Sequence, residues 1–302
     1  MTIAPLPQAA ERTARLLDLL TLEPGDGEDV FVAHSTRHLA SRVFGGQVLA
    51  QALVAAGRTA PPGRRPHSLH AYFLRPGDLD EAIVLAVERL RDGRSFSARR
   101  VQALQAGVPI LSMIASFETP GEGPDHADPM PEVPPPGDLP SQADTWGDVD
   151  HPAARYWAHE QPLDLRFVTP SIFAEPQHPP AARMRAWWRT AAPLPAGALL
   201  PTGAPDGTLL HAAVAVYASD YSILEPVLRR HGRSWLDSGL QMASIDHAMW
   251  FHRPLRADDW VLVDATSPSA SSSRGLCAAR MFTADGRLVV SVAQEGLFRP
   301  RS

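Results

Sequence analysis

Three polar residues in the second half of the chain have the types needed to move a proton or steer a water molecule: Asp220, Ser244 and Gln294. Asp220 shares a face with Ala213, Val216, Tyr217, Ile223 and Leu224 at three- and four-residue spacing, which aims a carboxylate at a sheet. A buried ionised carboxylate is costly unless it is paired or hydrogen-bonded. Asp220 therefore needs donors close by or its pKa must rise; its plainer reading is a rim residue just clear of the core, held by backbone or an arginine. Gln294 closes the alternating run Leu288, Val290, Val292, Gln294 on one face of a strand. An amide there can donate to a carboxylate, position a water or meet an oxyanion; equally, it can satisfy strand backbone in a core. Ser244 opens a strand, where a lone serine has an ordinary structural reading.

Other candidates carry less. His247 follows Asp246, but strand neighbours point to opposite faces and cannot pair directly. His70 and His252 occupy similar contexts, and none has the spacing of an H-E-x-x-H metal site, so all three read as core or interface histidines. Cys277, the only cysteine, lies in an apolar run and reads as a small core residue. It excludes an intramolecular disulfide and any multi-cysteine metal site. Ser267, Ser269, Ser271, Ser272 and Ser273 form a polar loop without a G-x-S-x-G elbow, which disfavours a serine hydrolase. Gly45-Gly46 precedes an apolar helix and is a weak cradle for an anion, since helix amino ends present free N–H groups.

The elements that must position these residues occur twice. The stretch from His70 to Pro76 is answered by His247 to Pro254 with one residue inserted, and Gly107 to Ala115 lines up with Gly286 to Gln294. Two divergent copies of one unit are implied, with an inert Ala115 where the second copy has Gln294. In each copy a long apolar helix, about 45–57 or about 209–230, precedes a run of antiparallel strands. A sheet wrapped around a helix, twice over, predicts an α+β double hotdog. The expected organisation is a first hotdog over 1–118, a Pro/Gly/Asp-rich linker over 119–150 that buries little, and a second hotdog over 151–302 carrying the polar trio.

The net charge of −5 offers no basic surface for nucleic acid or an anionic membrane. All 28 basic residues are Arg, which rules out Schiff-base or P-loop lysine chemistry. Met1 to Pro5 lacks a basic n-region, no eighteen-residue apolar run occurs, and the final Arg299-Pro300-Arg301-Ser302 is no obvious peroxisomal address. A cytoplasmic location is expected.

Taken together, Val43-Phe44-Gly45-Gly46-Gln47-Val48, His67 to Gly77, Asp92 to Val101, Tyr217 to Asp220, Ala243 to Pro254 and Val292 to Leu297 resemble the acyl-CoA thioesterase II family. The resemblance covers nearly the whole chain and is weakest over 118–146. It implies a double-hotdog hydrolase of acyl-CoA thioesters with no metal or cofactor, assembled as a homo-oligomer of double hotdogs. It also implies a trio of an Asp in the second helix, a Thr or Ser opening the next strand and a Gln in the last strand. These fall on Asp220, Ser244 and Gln294, with Ser where bacterial relatives often carry Thr. Under that reading Asp220 deprotonates a water, held with the carboxylate by Ser244 and Gln294, and no covalent intermediate forms. Gly46, Gln47 and His70 become substrate-binding candidates, the helix end near Gly46 facing the oxyanion. Two other readings stay open: a non-catalytic acyl-CoA-binding hotdog protein, and an enoyl-CoA hydratase, whose Asp and His on one loop-helix segment have no counterpart here.

Overall fold

In the computed structural model the described residues are 7–36, 42–194 and 207–300. Readings at Met1 to Pro5 and at the last two residues lie outside them. The chain opens with helix α1 (Ala9–Leu20) and short strands β1 (Glu23–Pro24) and β2 (Val30–Ala33). Helix α2 (Gly45–Arg58) follows, then β3 (Arg65–Phe73), β4 (Ile83–Asp92), β5 (Phe96–Gln105) and β6 (Val108–Glu118). A connecting segment holds α3 (Gln142–Trp146), α4 (Pro152–Arg155) and one π-helical turn at Tyr156–Glu160. Strands β7 (Leu163–Phe167) and β8 (Arg183–Thr190) lead to α5 (Thr208–Ser219) and α6 (Glu225–Arg230). The chain ends with β9 (Leu240–Ser244), β10 (Asp246–Phe251), β11 (Val261–Ser271), β12 (Arg274–Thr283) and β13 (Leu288–Pro300).

Among the described residues the strands form one 13-stranded antiparallel sheet in the order β1-β2-β4-β5-β6-β3-β10-β13-β12-β11-β8-β7, with β9 beside the end of β13. The halves meet at β3 and β10, and each wraps its own helix. This is the α+β double hotdog that the repeat predicts. Among the described residues no helix is long and apolar enough to cross a membrane.

Helix α2 is apolar on all sides, and Gly46 to Gly57 are buried, as a helix enclosed by sheet must be. It runs antiparallel to α5, and glycines let the two touch. A Cβ at Gly46 would stand 2.6 Å from the Tyr217 carbonyl, and one at Gly57 would stand 2.3 Å from a Leu209 methyl. Helix α5 ends at Ser219 instead of continuing to Arg230, contrary to the sequence reading. Pro226 has no N–H for the Ser222 carbonyl, so the chain turns over residues 220–224 and restarts as α6. The break places Asp220 at a helix terminus.

Equivalent backbone contacts fix how the copies correspond. The Arg75 guanidinium donates to the Pro109 carbonyl and that of Arg253 to the Leu288 carbonyl, both at 2.8 Å. Leu69 pairs with Ala115, and Ala248 with Ala293 one step from Gln294. The arms therefore match without an inserted residue: Leu69 on His247, Ala115 on Gln294. The apparent His70–His247 match is a register slip, and a slip of one residue exchanges the faces of a strand. His70 is exposed and edge-on to Trp250, whereas His247 is 1% exposed.

The segment over 119–150 buries more than its composition predicts. Met130, Val133 and Leu139 pack against a small core of Trp187, Leu262 and Phe282, separate from the main one. Trp187 Nε1 donates to the Pro134 carbonyl at 3.0 Å, and Arg280 pairs with Asp128 at 2.6 Å. Consecutive prolines lower the entropy lost on ordering, so few contacts suffice to lay this strap on the second half.

Candidate active site

Asp220, Ser244 and Gln294 come together from the end of α5, the end of β9 and the inner face of β13. Ser244 Oγ donates to Asp220 Oδ1 at 3.2 Å, and Gln294 Nε2 donates to the same oxygen at 3.0 Å and to Ser244 Oγ at 2.8 Å. The Gly46 N–H, at the start of α2, is a further donor to the carboxylate. Asp220 thus sits on the positive end of a helix from the other half. Close approach requires glycine, because a Cβ at Gly45 would lie 2.6 Å from Asp220 Oδ2. Burial pushes the Asp220 carboxyl up to about 6, while Gln294, Gly46, Ser244 and the Arg42 charge pull the other way. Of the two sequence readings, a carboxylate with donors close by is the one observed.

The carboxylate and Ser244 open onto a cavity of about 410 Å³ between the halves. The first half contributes Val48, Phe73, Leu74 and Ile110, and the second Leu224, Trp235 and Met242, so the walls are largely apolar. Arg42 and Arg75 add two cations to the same lining. Such a site can take an apolar chain with an anionic head and present it to a base.

Similarity to known proteins runs along the whole chain. It is 38% identical over 305 residues to human acyl-coenzyme A thioesterase 8, covering 97% of this chain and 91% of that protein. With acyl-CoA thioesterase 2 of Haemophilus influenzae it shares 36% identity over 94% of this chain and 96% of the other. The chain belongs to the acyl-CoA thioesterase family. This is a family of thioester hydrolases, and its two models match the halves separately. Residues 33–118 match the acyl-CoA thioesterase N-terminal domain and residues 198–297 match acyl-CoA thioesterase. A crystal structure of an acyl-CoA thioesterase II from Mycobacterium marinum superimposes with a TM-score of 0.77 at 39% identity, covering 95% of this chain and 99% of that one. A hot dog fold protein of unknown function from Alicyclobacillus acidocaldarius gives 0.75 at 20% identity over 95% of this chain and 99% of its own, a likeness of fold alone.

In this member of the thioesterase family the three substrate-binding candidates fare differently. Gly46 is at the site, with its N–H directed at the Asp220 carboxylate. Gln47 is buried and donates to Ser35 Oγ at 3.0 Å, away from the cavity lining. His70 is on the outer face of β3, because strand alternation turns it away from Leu69 and Ala71. Cys277 is a buried core residue, its thiol pushed up to about 12 by burial, which leaves no thiolate near neutral pH.

The residue that sequence reasoning missed is His247. It is a core histidine, as expected, but its Nδ1 meets Gln294 Oε1 and its Nε2 lies 3.0 Å from Ser219 Oγ. Matching the copies backward from Pro76 and Pro254 without a gap would have placed it on Leu69, beside Gln294.

The thioesterase fold supplies a second, pseudo-equivalent place in the first half. Thr59 follows α2 as Asp220 follows α5, and Ala115 stands for Gln294. Arg99 pairs with Ala115 as Cys277 pairs with Gln294. The Arg99 side chain is fully buried and donates to Thr59 Oγ1 at 2.9 Å, to the Thr59 carbonyl at 2.8 Å and to Asp92 at 2.8 Å. A guanidinium thus occupies the room left by the missing amide.

Proposed function

We propose that the chain hydrolyses acyl-CoA thioesters to a free fatty acid and CoA, with Asp220 as general base and no covalent intermediate. One observation carries this reading: a carboxylate held by Ser244 and Gln294 opens onto an apolar cavity between the halves. The acyl chain takes the apolar walls, and Arg42 and Arg75 meet the anionic phosphates of CoA. At about 6, the Asp220 carboxyl is ionised at neutral pH and still basic enough to draw a proton from water. The water oxygen attacks the thioester carbonyl carbon as its proton passes to Asp220. Collapse of the tetrahedral adduct breaks the C–S bond, and the departing sulfur takes the proton. Ser244 and Gln294 hold the carboxylate in line, and a thioester is reactive enough for this base to suffice. The same reading has hotdog units over 1–118 and 151–302, a cytoplasmic homo-oligomer, no metal or cofactor, and no nucleic-acid or membrane partner.

The test is release of free thiol from a panel of acyl-CoA lengths, followed with a thiol-reactive dye. Wild type should turn over, and Asp220→Asn should lower kcat by about 100-fold or more. Unchanged turnover in that variant overturns the mechanism. Acyl-CoA binding without thiol release by the wild type selects a non-catalytic binding protein.

A further inference from the structure

Gln294 works as a donor only in one of its two amide orientations, and O and N of a glutamine amide have nearly the same shape. Turned the other way, Oε1 would face Asp220 Oδ1 and the Ser244 oxygen, lone pair against lone pair in a buried place. Something must hold the productive orientation. We propose that His247 is a positioning residue that fixes the Gln294 amide by donating Nδ1–H to its Oε1. The inference rests on the hydrolytic reading of Asp220 given above.

The geometry leaves little choice of proton. Gln294 Oε1 has no hydrogen to give, so Nδ1 must carry one to bond with it. Both residues are buried, at 1% and 0% exposure, and desolvation keeps the imidazole neutral. A neutral imidazole protonated at Nδ1 leaves Nε2 as an acceptor. Ser219 Oγ, 3.0 Å from it, also donates to the Val216 carbonyl at 2.8 Å, so its single hydrogen is shared between two acceptors. From the imidazole inward the hydrogens then point the same way: His247 to Gln294, Gln294 to Ser244 and Asp220, Ser244 to Asp220. The first half is an internal control. There the same two inward places hold Leu69 and Ala115, so amide and imidazole are absent together.

Among the described residues, the charged groups facing Asp220 are Arg42 and, in the same cavity lining, Arg75, with the titratable Tyr221 also in that lining; the remaining polar contacts are Gly46, Ser244 and Gln294. A flipped amide would therefore be felt directly by the carboxylate. The experiment compares His247→Leu, which removes the donor, with His247→Asn, whose amide N–H replaces Nδ1–H, and with Asp220→Asn. His247→Leu should lower kcat about 10- to 100-fold with little change in KM, and should move the acid limb of kcat/KM to higher pH. His247→Asn should recover most of the rate and the original limb. Nitrogen-15 NMR of the wild type, with the His247 signals assigned by their loss in His247→Asn, should show the neutral Nδ1–H tautomer. Wild-type kinetics in His247→Leu, equal losses in both variants, or an Nε2–H tautomer overturns the proposal. If His247→Leu does not fold, the tautomer decides. Full turnover by Asp220→Asn instead sinks the hydrolytic reading and leaves the tautomer measurement standing.

Discussion

The backbone N–H of Gly46, at the start of one central helix, donates to the carboxylate of Asp220, at the end of the other. Only glycines permit this approach. Gly45→Ala would place a methyl 2.6 Å from Asp220 Oδ2 and should cut kcat by about 100-fold through misplacement of the base. Gly46→Ala would meet the Tyr217 carbonyl, which cannot swing aside, and should destabilise the fold by about 1–3 kcal/mol. Steady-state kinetics on the first and denaturant midpoints on the second check these outcomes.

Activity should follow the ionisation of Asp220. The carboxyl titrates at about 6, and its protonated form cannot accept a proton from water, so kcat/KM should fall as the pH drops through that value. Gln294→Met removes a donor to the charged form, which raises the pKa further. The acid limb should move upward in this variant, and an unmoved limb would show that another group governs it.

Asp220 and His247 should oppose each other in stability. Burial holds His247 down to about 4 against 6.5, so the unfolded chain binds more protons in that window and stability is lost as pH falls through it. Asp220, raised from 3.8 to about 6, binds its proton more tightly when folded, so its contribution is lost as pH rises from 3.8 to 6. Each amounts to about 3 kcal/mol at ~1.4 kcal/mol per pH unit, and in the wild type they largely offset. Asp220→Asn leaves the histidine unopposed. Its denaturant midpoint should drop on acidification from 6.5 to 4 more steeply than that of the wild type, and parallel profiles would count against these assignments.

The route of the oxygen atom separates a base from a nucleophile. In a single turnover with enzyme in excess and water labelled with oxygen-18, direct attack by water puts the label in the product acid at once. Attack by the Asp220 carboxylate would expel CoA and form a mixed anhydride, whose hydrolysis at the Asp220 carbonyl would give unlabelled acid in the first turnover and label in the protein. Mass spectrometry of acid and protein should find the label in the acid alone.

Arg99 should matter for folding and not for turnover. It is fully buried against Thr59 and Asp92, far along the sheet from Asp220, Ser244 and Gln294. Arg99→Met forfeits several charge-assisted hydrogen bonds and should cost about 2–4 kcal/mol, read from the denaturant midpoint. Turnover per folded molecule should stay at the wild-type level.

Much of this was legible in the sequence because it depends on periodicity. The apolar helices, the strand alternation that turns Gln294 inward, and the double-hotdog order all follow from patterns of two and three-to-four residues. What periodicity does not carry was lost. The break after Ser219 depends on one missing N–H at Pro226, four residues beyond Ser222, a signal present in the sequence but overridden by an apolar run. His70 was misplaced because an identical letter invited a gap that the flanking arginine and proline did not need. The strap over 119–150 was underestimated because its scattered apolar residues, Met130, Val133 and Leu139 among them, have no period, and their partner surface exists only after folding. Likewise, the bond from His247 to Gln294 joins positions 47 apart, which only strand register brings side by side.

The plugged counterpart site has a consequence for how the duplicated halves are constrained. With Arg99 filling its own cleft, the first copy lends the proposed site a backbone donor and one wall of the chamber. A fragment starting at residue 119 would retain the acid, the alcohol and the amide and still lack both loans. On the proposed mechanism, competence belongs to the docked pair, a division of labour inside one polypeptide that neither repeat alone inherits.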